Sequence, residues 1–131
     1  MKPELLYLTW VTVLTGLLWV PYILDRLAVR GLTDAVGYPE QPKPQSAWAQ
    51  RLMRAHANAV ENLVIFASLV LILDARGHST ESTALACAVY FWARLAHAVV
   101  YTMGVPVLRT LAFAVGFVAQ VTLAIAIFGK L

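Results

Sequence analysis

Charged residues are scarce in this sequence, and cysteine is almost absent. Asp, Glu, Lys and Arg make up 13% of the 131 residues, about half their usual share of a soluble domain. This scarcity, with 60% hydrophobic residues, excludes a disordered chain and a soluble catalytic module. The one cysteine, Cys87, excludes an intrachain disulfide framework and a cysteine-rich metal site, and we predict no metal site. The composition is that of an integral membrane protein.

The net charge is small and positive. Ten Lys and Arg against seven Asp and Glu give +3. In a membrane protein such an excess more often reflects the charge of the loops than nucleic-acid binding, so we expect no nucleic-acid partner. The length allows one domain, which we expect to cover residues 1–131.

Four apolar stretches are candidates for membrane-spanning helices, because about 20 residues cross a hydrocarbon core of about 30 Å. They are residues 5–24, 55–73, 83–103 and 111–128. Residues 5–24 could instead be a cleavable signal peptide, but they lack a multi-basic start and a small-residue exit. Turns at 76–79 and 104–106 separate the later stretches. We therefore predict an all-α, multi-pass bundle of four transmembrane helices, in the inner membrane if the source is bacterial.

The longest connection, residues 25–45, contains two glycines and three prolines, which predict that no continuous helix runs through it. Ser46 is the predicted N-cap of a helix that enters the bilayer near Arg54. An up-down-up-down order puts this connection and the turn at 104–106 on one side of the membrane. That side carries Arg26, Arg30, Lys43, Arg51, Arg54 and Arg109, and the other carries Lys2, Arg76 and Lys130. Six basic residues against three place the long connection in the cytoplasm.

Polar and charged residues inside the second and third spans form two stripes. A charge inside a span costs about 2.5–3.5 kcal/mol on insertion scales, so it is a functional candidate. Helical spacing aligns Arg51, Arg54, Asn58 and Glu61 on one helix, and Arg94, His97 and Tyr101 on the next. The two stripes lie at the same depth because the helices are antiparallel. Arg109, Arg26 and Arg30 join them on the predicted cytoplasmic side.

These stripes permit two interpretations. Glu61 could pair with Arg94 or Arg54 in a structural ion-pair network. However, one acid leaves a surplus of cations, and unpaired buried cations require an anion or water. The surplus favours a receptor for an anionic ligand, and the planar guanidinium of Arg suits carboxylates.

The run RAHANAVEN from Arg54 to Asn62, followed by Phe66, resembles the second-helix signature of the MAPEG family. These are the membrane-associated proteins of eicosanoid and glutathione metabolism, which include microsomal glutathione transferases and prostaglandin E synthases. The segment RLAHAVVY, which ends at Tyr101, is similar to the third-helix motif of the family. Pro106 and the Arg-Thr pair at 109–110 match the start of its fourth helix. The resemblance covers the whole chain.

The resemblance implies a homotrimer that binds glutathione between subunits near the cytoplasmic face and transfers it to lipophilic electrophiles, or reduces peroxides with it. Surrounding lipid would deliver the second substrate. By position, the binding residues would be Arg54, Asn58, Glu61, Arg94 and His97, with Arg26 or Arg30. Arg109 would face the sulfur and favour the thiolate, with help from Tyr101 and from the Thr110 hydroxyl. A cation near a thiol lowers its pKa, and the thiolate is the reactive form.

Two departures from the family pattern bear on activity. Ala57 occupies a position where prostaglandin synthase relatives carry a basic residue, and the spacing from Tyr101 to Arg109 differs from theirs by one residue. An alternative function is therefore a catalytically silent family member that binds an anionic ligand or only oligomerises. A channel is disfavoured because the polar residues cluster at one depth.

Overall fold

The computed structural model describes residues 1–129, and these residues form five helices and no strand. The helices are α1 (Pro3–Leu17), α2 (Trp19–Val36), α3 (Ala47–Ala75), α4 (Glu81–Thr102) and α5 (Pro106–Ile127). Because α1 and α2 follow each other as one apolar segment, the five helices make four candidate membrane spans. The predicted all-α, four-span architecture is confirmed. Lys130, one of the predicted external charges, lies outside the described residues.

The first span is interrupted at Leu18, between α1 and α2. Pro21 explains the break, since a proline has no N–H to donate to the carbonyl four residues earlier, that of Leu17, and its ring crowds that carbonyl. The amide of Leu18 turns to the carbonyl of Thr15 instead, at 3.4 Å. The predicted span at residues 5–24 is therefore two helices in succession.

No continuous helix runs through residues 25–45, as predicted, but their first part is helical. The α2 helix continues to Val36, with one non-helical residue inside it, Gly31, whose φ is 75°. Glycine accepts this left-handed conformation without steric penalty, so the helix changes direction there and continues. Two hydrogen bonds stabilise the extension: Arg30 of α2 donates to the Lys43 carbonyl, and Asp25 of α2 accepts from the Ser46 amide. Residues 37–46, which hold the three prolines, are not helical.

Ser46 is the N-cap of α3, as predicted, but its own side chain makes no capping bond. Asp25 of α2 replaces it: the carboxylate accepts hydrogen bonds from the Ser46 amide at 3.0 Å and the Ser46 hydroxyl at 2.5 Å. A carboxylate at a helix N-terminus also interacts favourably with the helix dipole. Asp25 thereby joins α2 to the beginning of α3.

The apolar core lies where α1, α3, α4 and α5 meet. Phe66 of α3 stacks on Tyr90 of α4, with ring centroids 3.8 Å apart and planes within 10°. Val11, Cys87 and Leu123 close the core around this pair. The single cysteine is fully buried there, in the packing position that its apolar surroundings predict. This core holds α3, α4 and α5 in the alignment on which the polar residues depend.

A polar cluster around a buried acid lies at the end of the bundle where α1 and α4 begin. We call Glu4, Ser79 and Thr83 the Glu4 cluster. The Glu4 carboxylate is 3% exposed and accepts hydrogen bonds from the Thr83 hydroxyl at 2.5 Å and the Ser79 hydroxyl at 2.8 Å. Thr83 also forms a capping box with Thr80 at the start of α4. The cluster ties the first helix to the third span.

Candidate functional site

A pocket of about 190 Å³ lies at the opposite end of the bundle, between α3, α4 and α5. We call it the central pocket. It is lined by Asn58, His97, Tyr101, Arg109, Thr110 and Phe113. The antiparallel order of the helices brings these residues together, since Asn58 lies early in α3, His97 and Tyr101 lie late in α4, and Arg109 lies in the first turn of α5. The structure thus brings Asn58 of the first predicted stripe together with His97 and Tyr101 of the second.

Arg109 is held over the ring of Tyr101. Its Cζ lies 4.6 Å from the ring centroid, a cation–π distance that supports the guanidinium without neutralising its charge. The ring of His97 meets the edge of Tyr101, with centroids 5.5 Å apart and an interplanar angle of 68°. Packing thus holds the Arg109 guanidinium against the Tyr101 ring, and the His97 ring holds Tyr101 in place.

Asn58 is oriented by hydrogen bonds to its side-chain oxygen. Arg94 Nη2 donates to Asn58 Oδ1 at 2.7 Å, and Asn62 Nδ2 donates to the same oxygen at 3.3 Å. Gln120 of α5 donates to the Asn62 carbonyl at 3.2 Å, so the network joins α5 to α3 and α4. Since Oδ1 accepts both bonds, the amide nitrogen of Asn58 remains as a donor for a ligand.

The charges of this region are unbalanced. Arg94 is 4% exposed and hydrogen-bonded to the neutral Asn58, and within residues 1–129 neither it nor Arg54 forms an ion pair with Glu61. Arg94 Nε and His97 Nδ1 are buried without a hydrogen-bond partner in that range. The alternative of a structural ion-pair network around Glu61 is therefore wrong for the single chain. A buried cation with a neutral partner and an unused N–H favours an anionic ligand.

Arg54 and Glu61 lie outside the pocket. Both are exposed, on the same stripe of α3 as Asn58, because α3 is continuous from Ala47 to Ala75. The stripe therefore runs from the pocket onto the outer surface of the chain. This surface belongs to a candidate membrane span, so charges on it are placed where lipid would not solvate them.

Arg26 and Arg30 of α2 do not line the central pocket of their own chain. Arg26 Nε donates to Gln45 Oε1 at 3.1 Å, and Arg30 Nε donates to the Lys43 carbonyl at 2.8 Å. Both side chains hold the extended segment before α3. A ligand role for either one stays a prediction that would require a neighbouring subunit.

Sequence reasoning missed two residues that orient the pocket and one buried acid that stabilises the fold. Asn62 and Gln120 orient Asn58, and the only available signal was that each is a polar residue inside an apolar span. Glu4 is a buried acid at the start of the first span. Its position next to the chain terminus gave no indication that Ser79 and Thr83 would enclose it.

Fold and pocket together define a multi-pass integral membrane helical bundle with an electropositive site between three of its helices. A sequence model of the MAPEG family matches residues 7–129, and the chain belongs to this family of four-helix membrane proteins. A search of curated proteins finds no match. The match spans every residue that lines the central pocket.

Proposed function

We propose that the protein is a glutathione-dependent membrane transferase or peroxidase that acts on lipophilic electrophiles as a homotrimer. The observation that carries the proposal is the central pocket, in which Arg109 rests on Tyr101 and, among the described residues, forms no ion pair with an acid. MAPEG membership supports a function related to glutathione. The enzyme would bind its two substrates from different phases, glutathione from water and the electrophile from the bilayer.

The polar stripe fits a tripeptide with two carboxylates and one ammonium group. Arg54 would bind a carboxylate through its planar fork, and Glu61 would accept from the ammonium group. The free amide nitrogen of Asn58 would donate to the peptide backbone or a carboxylate. Arg94 would act through Asn58, because its Nη2 fixes the orientation of that amide. His97 would line the site, since its ring packs against Tyr101.

Glutathione supplies the thiol that becomes the nucleophile in transfer or reduces the substrate in a peroxidase reaction. Arg109 would favour the thiolate, because a nearby cation lowers the pKa of a thiol from its solution value of about 8.5. Tyr101 holds the guanidinium in place and offers its hydroxyl as a second donor. The apolar walls of the bundle, including Phe113, would exclude water from the sulfur and strengthen the electrostatic interaction.

Exposed charges on α3 support the homotrimer. Arg54 and Glu61 lie on the surface of the single chain, within a helix apolar enough to span a membrane. Facing lipid, each would cost about 2.5–3.5 kcal/mol on insertion scales. A second copy packed against this stripe removes them from lipid and closes a ligand site between subunits. The same assembly would bring Arg26 or Arg30 of a neighbouring copy towards the ligand.

One observation favours the second candidate, a silent family member that binds an anion without turnover. The Thr110 hydroxyl donates to the Pro106 carbonyl of its own helix at 3.3 Å. It therefore has an intrahelical partner and is not committed to the pocket. A site in which Arg109 is the main group near the sulfur stabilises a thiolate less than a site in which the Thr110 hydroxyl also donates to it.

Calorimetric titration of the purified protein with glutathione tests the proposal. We expect saturable binding that weakens about tenfold or more in Arg54→Ala and Glu61→Ala, because each loses a charged ligand group. Arg76→Ala is the matched control, since it removes an exposed charge at the opposite end of the bundle. No binding to the intact protein would remove the transferase proposal. Binding without turnover of any lipophilic electrophile would favour the silent candidate.

A further inference from the structure

Arg51 lies beside the central pocket but does not line it. Its Nε donates to the Thr102 carbonyl at the end of α4, at 2.9 Å. Its guanidinium also lies close to Gly104, where a Cβ would come within 3.3 Å of the Arg51 Cζ. Gly104 has a φ of 80°, so glycine is required there for the turn as well as for this approach. The terminal Nη groups of Arg51 make no hydrogen bond within residues 1–129 and remain available.

Arg51 lines a second pocket, of about 130 Å³. We call it the turn pocket, because it lies at the connection between α4 and α5. Its lining residues are Arg51, Tyr101, Gly104, Val105, Pro106 and Arg109. Two guanidinium groups and a phenol face a space with no acid on its walls. The N-terminus of α5, which begins at Pro106, adds the positive end of a helix dipole. This chemistry suits a compact oxyanion such as a phosphate.

An apolar groove of about 330 Å³ adjoins the turn pocket and shares Pro106 and Arg109 with it. Val107 and Leu111 form its outer wall and are 67% and 56% exposed. They lie on a helix apolar enough to span a membrane, so they face acyl chains. One ligand with an oxyanion head and a hydrocarbon chain therefore fits the pocket and the groove together.

The position of the turn pocket along the membrane normal indicates which amphiphilic anion it binds. A short turn between two spans lies at the membrane interface, where the phosphates of phospholipids are found. The charge bias of the chain places this turn on the cytoplasmic side, and the cytoplasmic leaflet is rich in anionic lipids. We propose that Arg51, Tyr101 and Arg109 bind the phosphate of an anionic phospholipid, whose acyl chain lies in the groove beside Pro106 and Leu111.

The lipid site can be tested without glutathione, but the lipid site and the glutathione site share Arg109. Arg109 lines both the central pocket and the turn pocket, so a phosphate in the turn pocket competes for its charge. Bound anionic lipid would then reduce the stabilisation of a thiolate in the central pocket. Arg51 lines the turn pocket but not the central pocket. Its substitution should therefore weaken the binding of lipid without removing a residue from the central pocket.

Titration of the detergent-solubilised protein with short-chain phosphatidylglycerol, in the absence of glutathione, tests the lipid site. We expect saturable binding, and weak or no binding of phosphatidylcholine with the same chains, because its choline cation repels the arginines. Arg51→Gln should weaken phosphatidylglycerol binding about tenfold, the equivalent of one charged hydrogen bond. The affinity of Arg51→Lys for phosphatidylglycerol should fall between those of the unchanged protein and Arg51→Gln, since the charge remains without the planar fork.

Lys43→Gln is the matched control, because it removes the same charge from an exposed position on the same predicted side of the membrane. Equal losses in Lys43→Gln and Arg51→Gln would overturn the proposal, since they would show a general attraction to the basic surface. Equal affinity for inorganic phosphate would also overturn it, because the acyl groove would then contribute nothing. Preference for dodecanoate over the phospholipid would show that the pocket accepts a free acid instead. Thermal melting of both Arg51 variants confirms that the proteins compared are folded.

Discussion

The two ends of the bundle treat buried charge in opposite ways. In the Glu4 cluster, a buried acid accepts hydrogen bonds from two hydroxyl groups supplied by another part of the chain. At the other end, buried Arg94 has a neutral amide as its neighbour and half-buried Arg109 has an aromatic ring, and neither forms an ion pair within residues 1–129. One Glu4 oxygen receives both hydroxyl hydrogen bonds, although Oε2 has no partner within residues 1–129. The partners of Arg94 and Arg109 are neutral, so the charge of both groups is left for a ligand. Burial alone therefore does not distinguish a structural charge from a functional one, but partners do.

The largest expected effect comes from Arg109→Ala. Loss of the cation should raise the pKa of bound glutathione thiol, remove thiolate absorbance near neutral pH and lower turnover about 100-fold, while binding weakens much less. Each pKa unit corresponds to about 1.4 kcal/mol. Thr110→Ala is the control and should reduce thiolate absorbance and turnover less, because a neutral hydroxyl stabilises an anion less than a full charge does. Unchanged absorbance and turnover in Arg109→Ala would transfer this role to Tyr101 or Arg94.

Arg94→Leu directly tests the contrast between the two ends. Glutathione affinity should fall about tenfold, because Asn58 loses the charged donor that orients it. Thermal stability should stay the same or rise, since an apolar residue replaces a buried charge that lacks an ionic partner. Asn58 retains the hydrogen bond from Asn62. A strongly lowered melting temperature in Arg94→Leu would show that this arginine is structural after all.

Glu4→Leu should behave in the opposite way. We expect a stability loss of about 1–3 kcal/mol, because the hydroxyl groups of Ser79 and Thr83 lose their common acceptor, and no change in glutathione affinity. Glu4→Gln keeps an acceptor oxygen and should lose less. Differential scanning calorimetry and the glutathione titration together measure both quantities. If affinity falls while the melting temperature holds, the two ends are not independent.

A smaller effect is expected where α2 meets α3. Asp25→Ala removes the carboxylate that caps Ser46 and should cost about 1 kcal/mol, the usual contribution of an N-cap. Asp34→Ala is a suitable control, because Asp34 is exposed on the same helix. Melting curves of the two variants should differ by a few degrees. Identical curves would mean that Asp25 contributes nothing to the start of α3.

Orientation can be checked by cysteine labelling. In a Cys87→Ala background, a cysteine at the exposed position Gln41 should react with an impermeant reagent from the cytoplasmic side only. Reaction from the other side would invert the topology. The Glu4 cluster would then face the cytoplasm, and the proposed lipid site would face the leaflet with fewer anionic lipids.

The sequence predicted the four spans and the convergence of Asn58, His97, Tyr101 and Arg109, because both depend on helical periodicity, which is a local property. It did not predict α2 beyond residue 24. The stability of that segment depends on long-range contacts, such as that between Asp25 and Ser46, and propensity rules do not include them. The absence of any pairing between Glu61 and Arg94 could not be predicted either, since it depends on how α3 and α4 rotate against each other.

The bond between Glu4 and Thr83 also has a consequence for biogenesis. The first helix leaves the ribosome and reaches the membrane while Thr83, 79 residues later in the chain, is still to be synthesised. During that interval the Glu4 carboxylate has neither of its hydroxyl partners, and it must remain in contact with water at the edge of the bilayer. Arrival of the third span supplies the partners and draws the acid inward. Among the described spans, the first therefore inserts before the others but takes its final position only after the third arrives.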